Sequence, residues 1–238
     1  MDTRINDPGS DRFYRSSSAT PALDLGLRSF MLRVFNTMAG GLVLTGIVAY
    51  AAASSGLYAR IAGTPLLWVI MLAPLGLALL LGFRVSRMSA AAAQASFWAY
   101  AALMGLSLAG IFLVYTGDSI ARVFFISAGT FAATAAWGYT TSTDRTRFGS
   151  FLVMGLIGIV LASLVNLFVG SSALQFAVSV IGVLVFTGLT AWDTQRLKVM
   201  YLENSGTGNL AILGALMLYL DFVNLFVSLL QLVGTRRD

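Results

Sequence analysis

Two aspartates mark the places in this sequence where a carboxylate is costly and can do chemistry. Asp221 lies near the middle of the last apolar stretch, Leu210–Val233. A charge at the centre of a bilayer costs about 2.5–3.5 kcal/mol on insertion scales, so this side chain must face the interior of a helix bundle or a water-filled cavity. Intramembrane carboxylates usually serve proton or ion traffic, and we predict such a role here. The alternative is an aspartate that only forms a hydrogen bond between helices.

The helix that carries Asp221 has a polar stripe on an otherwise apolar surface. At 100° per residue, four other residues fall within roughly 80° of Asp221. They are Gly214, Asn224, Ser228 and Gln231. A helix with a buried polar stripe and an apolar remainder is predicted to sit at the centre of the bundle.

Asp193 ends the sixth apolar stretch, and two interpretations are open. It could form a surface ion pair with Arg196, three residues later on the same helix. If the helix instead continues past Asp193 toward Tyr201, then Asp193 and Asp221 lie in the same half of the membrane on consecutive helices. They could then face each other and share a proton, because two carboxylates in a low-dielectric interior cannot both ionise cheaply. Such a pair titrates as one unit.

The residue types exclude most other chemistry. The chain has no cysteine and no histidine, which excludes thiolate nucleophiles, disulfides, a Ser-His-Asp triad and imidazole metal sites. Sensing of pH near neutrality is then left to carboxylates. The sequence before Asp221 is Tyr219-Leu220, which lacks the Gly-x-Gly-Asp of intramembrane aspartyl proteases, and Pro21-Ala22-Leu23 lies far away in the N-terminal tail. The sequence therefore predicts a protein that is not an enzyme and has no bound cofactor.

These aspartates must be positioned by membrane helices. Hydrophobic residues make up 58% of the 238 residues and charged residues 11%, against roughly 25% charged in soluble domains. Seven apolar stretches are each about long enough to cross a hydrocarbon core of ~30 Å. They are Met31–Ser55, Leu66–Phe83, Ala90–Tyr115, Ile120–Tyr139, Phe148–Gly170, Leu174–Trp192 and Leu210–Val233. We therefore predict an all-α membrane protein: a disordered cytoplasmic tail over residues 1–28 and a single seven-helix transmembrane domain over 29–238.

Small residues recur every four positions in the third and fourth stretches. The two rows are Ala101, Gly105, Ala109 and Ala128, Ala132, Ala136. Such rows allow helix backbones to approach closely in lipid, so both predict helix packing.

The basic residues predict the orientation. Eleven of the fifteen lie in the tail or in the connections on the side of the N-terminus, and four lie on the opposite side. The positive-inside rule then places the N-terminus in the cytoplasm and, with seven spans, the C-terminus outside. The net charge of +5 comes from these loops and the tail, so it gives no reason to expect nucleic-acid binding. The expected location is the inner (plasma) membrane of a bacterium, with the lipid bilayer as partner.

Three segments carry a resemblance to a known family. They are Tyr100-Ala101-Ala102-Leu103-Met104-Gly105-Leu106-Ser107-Leu108, Thr190-Ala191-Trp192-Asp193-Thr194-Gln195 and Leu218-Tyr219-Leu220-Asp221-Phe222-Val223-Asn224-Leu225-Phe226. They resemble the Bax inhibitor-1 (TMBIM) family of membrane proteins. The resemblance implies seven helices, six of them wrapped around a central C-terminal helix. It also implies a pH-sensitive calcium leak that is controlled by a hydrogen-bonded aspartate pair, which maps onto Asp193 and Asp221.

The resemblance also implies an arginine at the end of the second helix that is linked to the pair, and either Arg84 or Arg87 could match it. Arg196 and Asn224 are further possible partners of the aspartates. A high-affinity calcium cage is not expected, because hard cations take six or more oxygen ligands. The acids outside the tails are few: Asp118, Asp144, Asp193, Glu203 and Asp221. Two carboxylates with carbonyls and water would hold calcium weakly, as a leak path requires.

An alternative function belongs to a different class. Some bacterial relatives in this family modulate a membrane-bound AAA protease, and the tail, residues 1–28, would then be the contact. This interaction is compatible with a leak.

Overall fold

A computed structural model of the chain describes residues 8–141, 146–204 and 209–237, with side chains from residue 25 onward except 142–147 and 204–208. The described residues form nine α-helices and one short 3₁₀ turn, Val85–Arg87. The helices are α1 (Pro8–Ser54), α2 (Leu57–Ile61), α3 (Leu66–Arg84), α4 (Ala90–Leu108), α5 (Ile111–Val114), α6 (Gly117–Thr140), α7 (Thr146–Val169), α8 (Ser172–Asn204) and α9 (Leu210–Val233).

Among the residues that the structure describes, seven segments are long and apolar enough to cross a membrane, which confirms the predicted number. Five of them are formed by single helices, the second combines α3 with the 3₁₀ turn over Leu66–Arg87, and the third combines α4 with α5 over Ala90–Val114. The last span has the same bounds as predicted, Leu210–Val233. The protein is therefore an all-α, multi-pass membrane protein.

The first and sixth spans belong to helices that are longer than the apolar stretches in them. Helix α1 begins at Pro8, so residues 8–28 are helical where the sequence predicted a disordered tail; residues 1–7 lie outside the described part of the chain. Proline fits the first helical position because an N–H group there has no acceptor within the helix, so its absence in proline costs no hydrogen bond. The part of α1 that can span a membrane begins at Leu25. Helix α8 continues for eleven residues past Asp193 and ends at Asn204.

Helix α9 forms the centre of the bundle, as predicted. In its apolar window 56% of the residues are buried, whereas the other spans have between 6% and 33%. It contacts α1, α3, α4, α6 and α8. Helix α7, the least buried span, lies at the periphery against α8. The core therefore consists of the apolar faces that the outer helices turn toward α9.

The two rows of small residues differ in the structure. Ala101, Gly105 and Ala109 are buried in the interface of α4 with α1, where a β-carbon at Gly105 would lie 2.8 Å from Val48 Cβ. This confirms close packing for the first row. The second row does not pack in this way, because Ala132 and Ala136 are exposed. They line a cavity of about 450 Å³ between α1 and α6, so the prediction for this row was wrong. In lipid an exposed alanine has no cost that would force it into an interface.

The C-terminus is attached to the turn between α5 and α6. The Thr116 amide donates to the Thr235 carbonyl at 3.1 Å, the Thr235 amide donates to Ser119 Oγ at 2.8 Å, and the Arg237 amide donates to the Val114 carbonyl at 2.9 Å. With seven spans, these contacts place the C-terminus at the end of the bundle opposite the start of the first span.

The two termini should therefore be labelled from opposite sides of the membrane. The chain has no native cysteine, so Ser17→Cys and Thr235→Cys each introduce a single reactive thiol. We expect Ser17→Cys in intact cells to react only with membrane-permeant maleimides and Thr235→Cys to react with impermeant ones. The cysteine-free protein is the control for background. Labelling of both positions by the impermeant reagent would contradict the charge-based orientation and the odd number of spans.

Candidate functional site

Asp193 and Asp221 meet between α8 and α9. Both side chains are buried, with 7% and 4% of their surface exposed, and their carboxyl groups are hydrogen-bonded to each other. A carboxylate only accepts hydrogen bonds, so a bond between two carboxyl groups requires that one of them carries a proton. The structure thus brings together the two residues that the sequence singled out, in the arrangement of a shared proton.

The length of α8 explains this meeting. Leu189 and Leu197 lie one turn before and one turn after Asp193 and are buried as well, so this face of α8 packs inward along several turns. The hydroxyls of Thr190 and Thr194 donate to carbonyls one turn back, at 2.8 and 2.7 Å, which satisfies them inside an apolar environment. The helix can therefore carry Asp193 through the interior of the bundle rather than ending at it.

Each carboxyl group keeps one oxygen without a partner. Asp193 Oδ1 and Asp221 Oδ2 are buried and accept no hydrogen bond from the residues that the structure describes. A buried acceptor without a donor is unfavourable, and for a carboxyl group a proton, a water molecule or a cation can remove this cost. The pair therefore has free oxygen atoms that could contact a cation.

A positive charge on the same helix acts on Asp193. Arg196 acts electrostatically on the Asp193 carboxyl, while its guanidinium lies 5.2 Å from the centre of the Trp192 ring and its side chain is exposed. Asp193 is thus buried against Asp221, as the second interpretation expected, rather than paired with Arg196 on the surface at a helix end. Arg196 is thus exposed at the edge of the site, whereas the two carboxyl groups are buried.

Arg84 and Arg87 lie at the end of α3 and in the turn that follows, and both side chains are exposed. The interactions that the described residues make with the carboxyl pair come from the two aspartates themselves and from Arg196. The link from this region to α9 is made by Asn209, whose Nδ2 donates to the carbonyls of Val85 and Met88 at 2.8 and 2.6 Å. A role of either arginine at the aspartates stays a prediction.

The polar stripe of α9 continues away from the carboxyl pair. Asn224 Nδ2 donates to the Leu220 carbonyl of its own helix at 2.8 Å. Gln231 accepts hydrogen bonds from Gln175 and Ser179 of α8. The face of α9 that carries Asp221 is thus polar over much of its length.

Sequence reasoning missed a second polar contact of α9. Thr45 of α1 and Tyr219 are joined by a hydrogen bond of 2.6 Å between their hydroxyl oxygens, and Thr45 Oγ1 also donates to the Ala101 carbonyl at 2.8 Å. The Tyr100 ring packs edge-on against the Tyr219 ring, with 5.3 Å between centroids. The signal was Thr45, one of two threonines in the predicted first span, and neither its type nor its position in the sequence distinguishes this contact from ordinary helix packing.

Comparison with known proteins identifies the family of the chain. A model of the family described as "Inhibitor of apoptosis-promoting Bax1" matches residues 27–238. The chain belongs to this family. The resemblance to the Bax inhibitor-1 family that the sequence motifs carried is therefore confirmed, over the whole membrane domain. The match does not include residues 1–26, which contain most of the polar tail.

Relatives in this family are similar to the chain over almost their full length. A protein of Rickettsia prowazekii is 49% identical over 227 residues, which cover 94% of this chain and 96% of the relative. The inner membrane protein YbhL of Escherichia coli is 47% identical over 234 residues, covering 95% and 100%. A protein of Caulobacter vibrioides is 44% identical over 244 residues, covering 97% and 98%.

Proposed function

We propose that this protein is a pH-sensitive leak for cations, calcium among them, whose gate is the pair of Asp193 and Asp221. The observation that carries the proposal is the hydrogen bond between two buried carboxyl groups in the membrane interior. Loss of the shared proton leaves two negative charges in contact in a low-dielectric environment. The charges then separate, admit water or attract a cation, and each of these changes the contact between α8 and α9.

The number of acidic groups suits passage rather than storage of calcium. Among the residues that the structure describes, there is no group of three or more acidic side chains that could hold a metal ion. A calcium ion takes six to eight oxygen ligands, so two carboxylates must be supplemented by carbonyls and water. Binding at such a site is weak, and an ion that conducts must be able to leave its site.

The relatives and the distribution of charge support a proposed location and orientation. A relative that covers nearly the whole chain is named an inner membrane protein, and we propose the same membrane for this protein. We propose a cytoplasmic N-terminus because the basic residues are concentrated on that side. The carboxyl pair is then reached from the cytoplasmic half of α8, where Arg196 is exposed.

Flux in proteoliposomes tests the proposed function. Purified protein in vesicles loaded with a calcium-sensitive dye should let external calcium enter, at a rate that changes at least tenfold between pH 5 and pH 8. Vesicles without protein give the background rate. A rate that equals this background at every pH would exclude the leak and leave the alternative, modulation of a membrane-bound AAA protease, as the function to test.

A further inference from the structure

The interface between α8 and α9 is polar at two levels. The first level, near the middle of α9, holds the carboxyl pair. At the second level, near the end of α9, Gln231 Oε1 accepts hydrogen bonds from Gln175 Nε2 at 2.7 Å and from Ser179 Oγ at 3.1 Å, and Asn166 Nδ2 of α7 donates to Gln175 Oε1 at 3.1 Å. We call these four residues the amide cluster. Gln231 is exposed, so the cluster is open to the surroundings.

The interface between these two levels is tightly packed. A β-carbon built on Gly182 of α8 would lie 3.2 Å from the β-carbon of Ser228 of α9, so the two helices are in close contact there. Phe186 lies one turn from Gly182 and two turns from Asp193 on the same face of α8, and only 5% of its surface is exposed. The contact of Gly182 with Ser228 and the ring of Phe186 thus separate the amide cluster from the carboxyl pair.

The polar residues of α9 are aligned with this interface. Asp221, Ser228 and Gln231 lie on one side of the helix and contact α8 at the carboxyl pair, at Gly182 and at the amide cluster. Ten residues separate Asp221 from Gln231, which is about 15 Å along the helix. Polar groups in the membrane interior are costly, so their concentration on one interface indicates a function of that interface.

We infer that cations cross the half of the membrane between the amide cluster and the carboxyl pair along the interface of α8 with α9, and that the contact of Gly182 with Ser228 is the constriction that must open. The inference rests on the proposed function and names this part of its route. Amide oxygens replace part of the hydration shell of a hard cation, and the aspartates receive the ion near the middle of α9. A closed constriction between packed helices blocks ions without any charged residue.

A reversible cross-link tests this route. The chain has no cysteine, so the double variant Gly182→Cys/Ser228→Cys contains a single possible disulfide, across a distance close to the roughly 3.5–4.5 Å between β-carbons of a disulfide. We expect mild oxidation to lower calcium flux in proteoliposomes at least tenfold and a reductant to restore it.

The matched control joins α8 to its other neighbour. A β-carbon at Gly155 of α7 would lie 3.0 Å from Val185 Cγ2, so Gly155→Cys/Val185→Cys ties α8 to α7 instead. Oxidation of this pair should leave flux within twofold of the reduced protein. Undiminished flux through the oxidised 182–228 variant would overturn the route but leave the proposed function intact. Absence of flux in the unmodified protein would overturn both.

A second measurement does not depend on the folding of a double variant. Ser228→Cys is expected to react with a small cationic thiol reagent during flux, and the reaction should lower flux at least tenfold. Val233→Cys, exposed near the end of the same helix, is the control whose modification leaves flux unchanged. A Ser228→Cys protein that conducts but is not affected by the reagent would contradict the route.

Discussion

Replacing Asp193, Asp221 or both by asparagine should abolish one and the same pH transition of the calcium flux. Asparagine keeps the size and hydrogen bonding of the side chain but cannot carry the charge that forces the pair apart. Because one shared proton controls both carboxyl groups, the first replacement already removes the transition, and the second adds nothing. The expected interaction energy in a double-mutant cycle is about 1–3 kcal/mol, as for residues in direct contact. Flux is measured in proteoliposomes between pH 5 and pH 8.

Asp118→Asn is the control for this cycle. Asp118 lies in the first turn of α6, is exposed, and is distant in the chain from the carboxyl pair. Its replacement removes one negative charge and should leave the pH transition in place. Two independent, additive shifts from Asp193→Asn and Asp221→Asn would mean that the carboxyl groups do not share a proton, and the gate would have to be elsewhere.

Gly138→Val should strongly destabilise the bundle. Gly138 of α6 faces the backbone of α8 beside the carboxyl pair: a β-carbon there would lie 2.8 Å from Ala191 Cα and would collide with the Ala191 carbonyl oxygen. Backbone atoms cannot move aside as a flexible side chain can, so α6 and α8 must separate. The expected loss is about 3 kcal/mol, at the upper end of what overpacking costs. Thermal unfolding in detergent measures it.

Gly129→Val provides the comparison within the same helix. A β-carbon at Gly129 would meet nothing within 4 Å among the atoms that the structure describes, and the residue is exposed. The same change in volume and backbone preference should therefore leave the unfolding midpoint within a few degrees of the original protein. Equal stability of both variants would show that α6 and α8 do not approach at Gly138.

The sequence predicts the part of the site whose side chains are energetically costly in a membrane, because such a side chain must be buried in protein or in contact with water. Asp221 stands in an apolar helix, so its burial follows from energetics alone. The central position of α9 follows from the stripe that includes Asn224 and Ser228. For Asp193 the sequence left two interpretations, a surface ion pair with Arg196 and a buried pair with Asp221. A carboxylate at the end of an apolar stretch is not costly enough in free energy to decide between them. The length of α8 decided between them, and helix ends are not fixed by hydrophobicity when polar residues continue the helix.

The contacts between distant helices could not be predicted in the same way. Neither Thr45 nor Tyr219 is costly in an apolar helix, because a threonine hydroxyl can bond to its own backbone. The row Ala128, Ala132 and Ala136 has the spacing of a packing interface, yet two of its residues line an open cavity. Spacing shows which residues share a face of a helix, but it does not show whether another helix or lipid covers that face.

The central position of α9 has a consequence for how the protein is made. A ribosome releases the chain from the N-terminus onward, so the helix that forms the core emerges after the six other spans. Until then the six spans lack their central helix, and Asp193 lacks its proton-sharing partner. Residues 234–237, which attach to the turn between α5 and α6, follow the central helix out of the ribosome. The bundle therefore closes only after α9 has been made, and a chain that stops before residue 234 lacks this attachment.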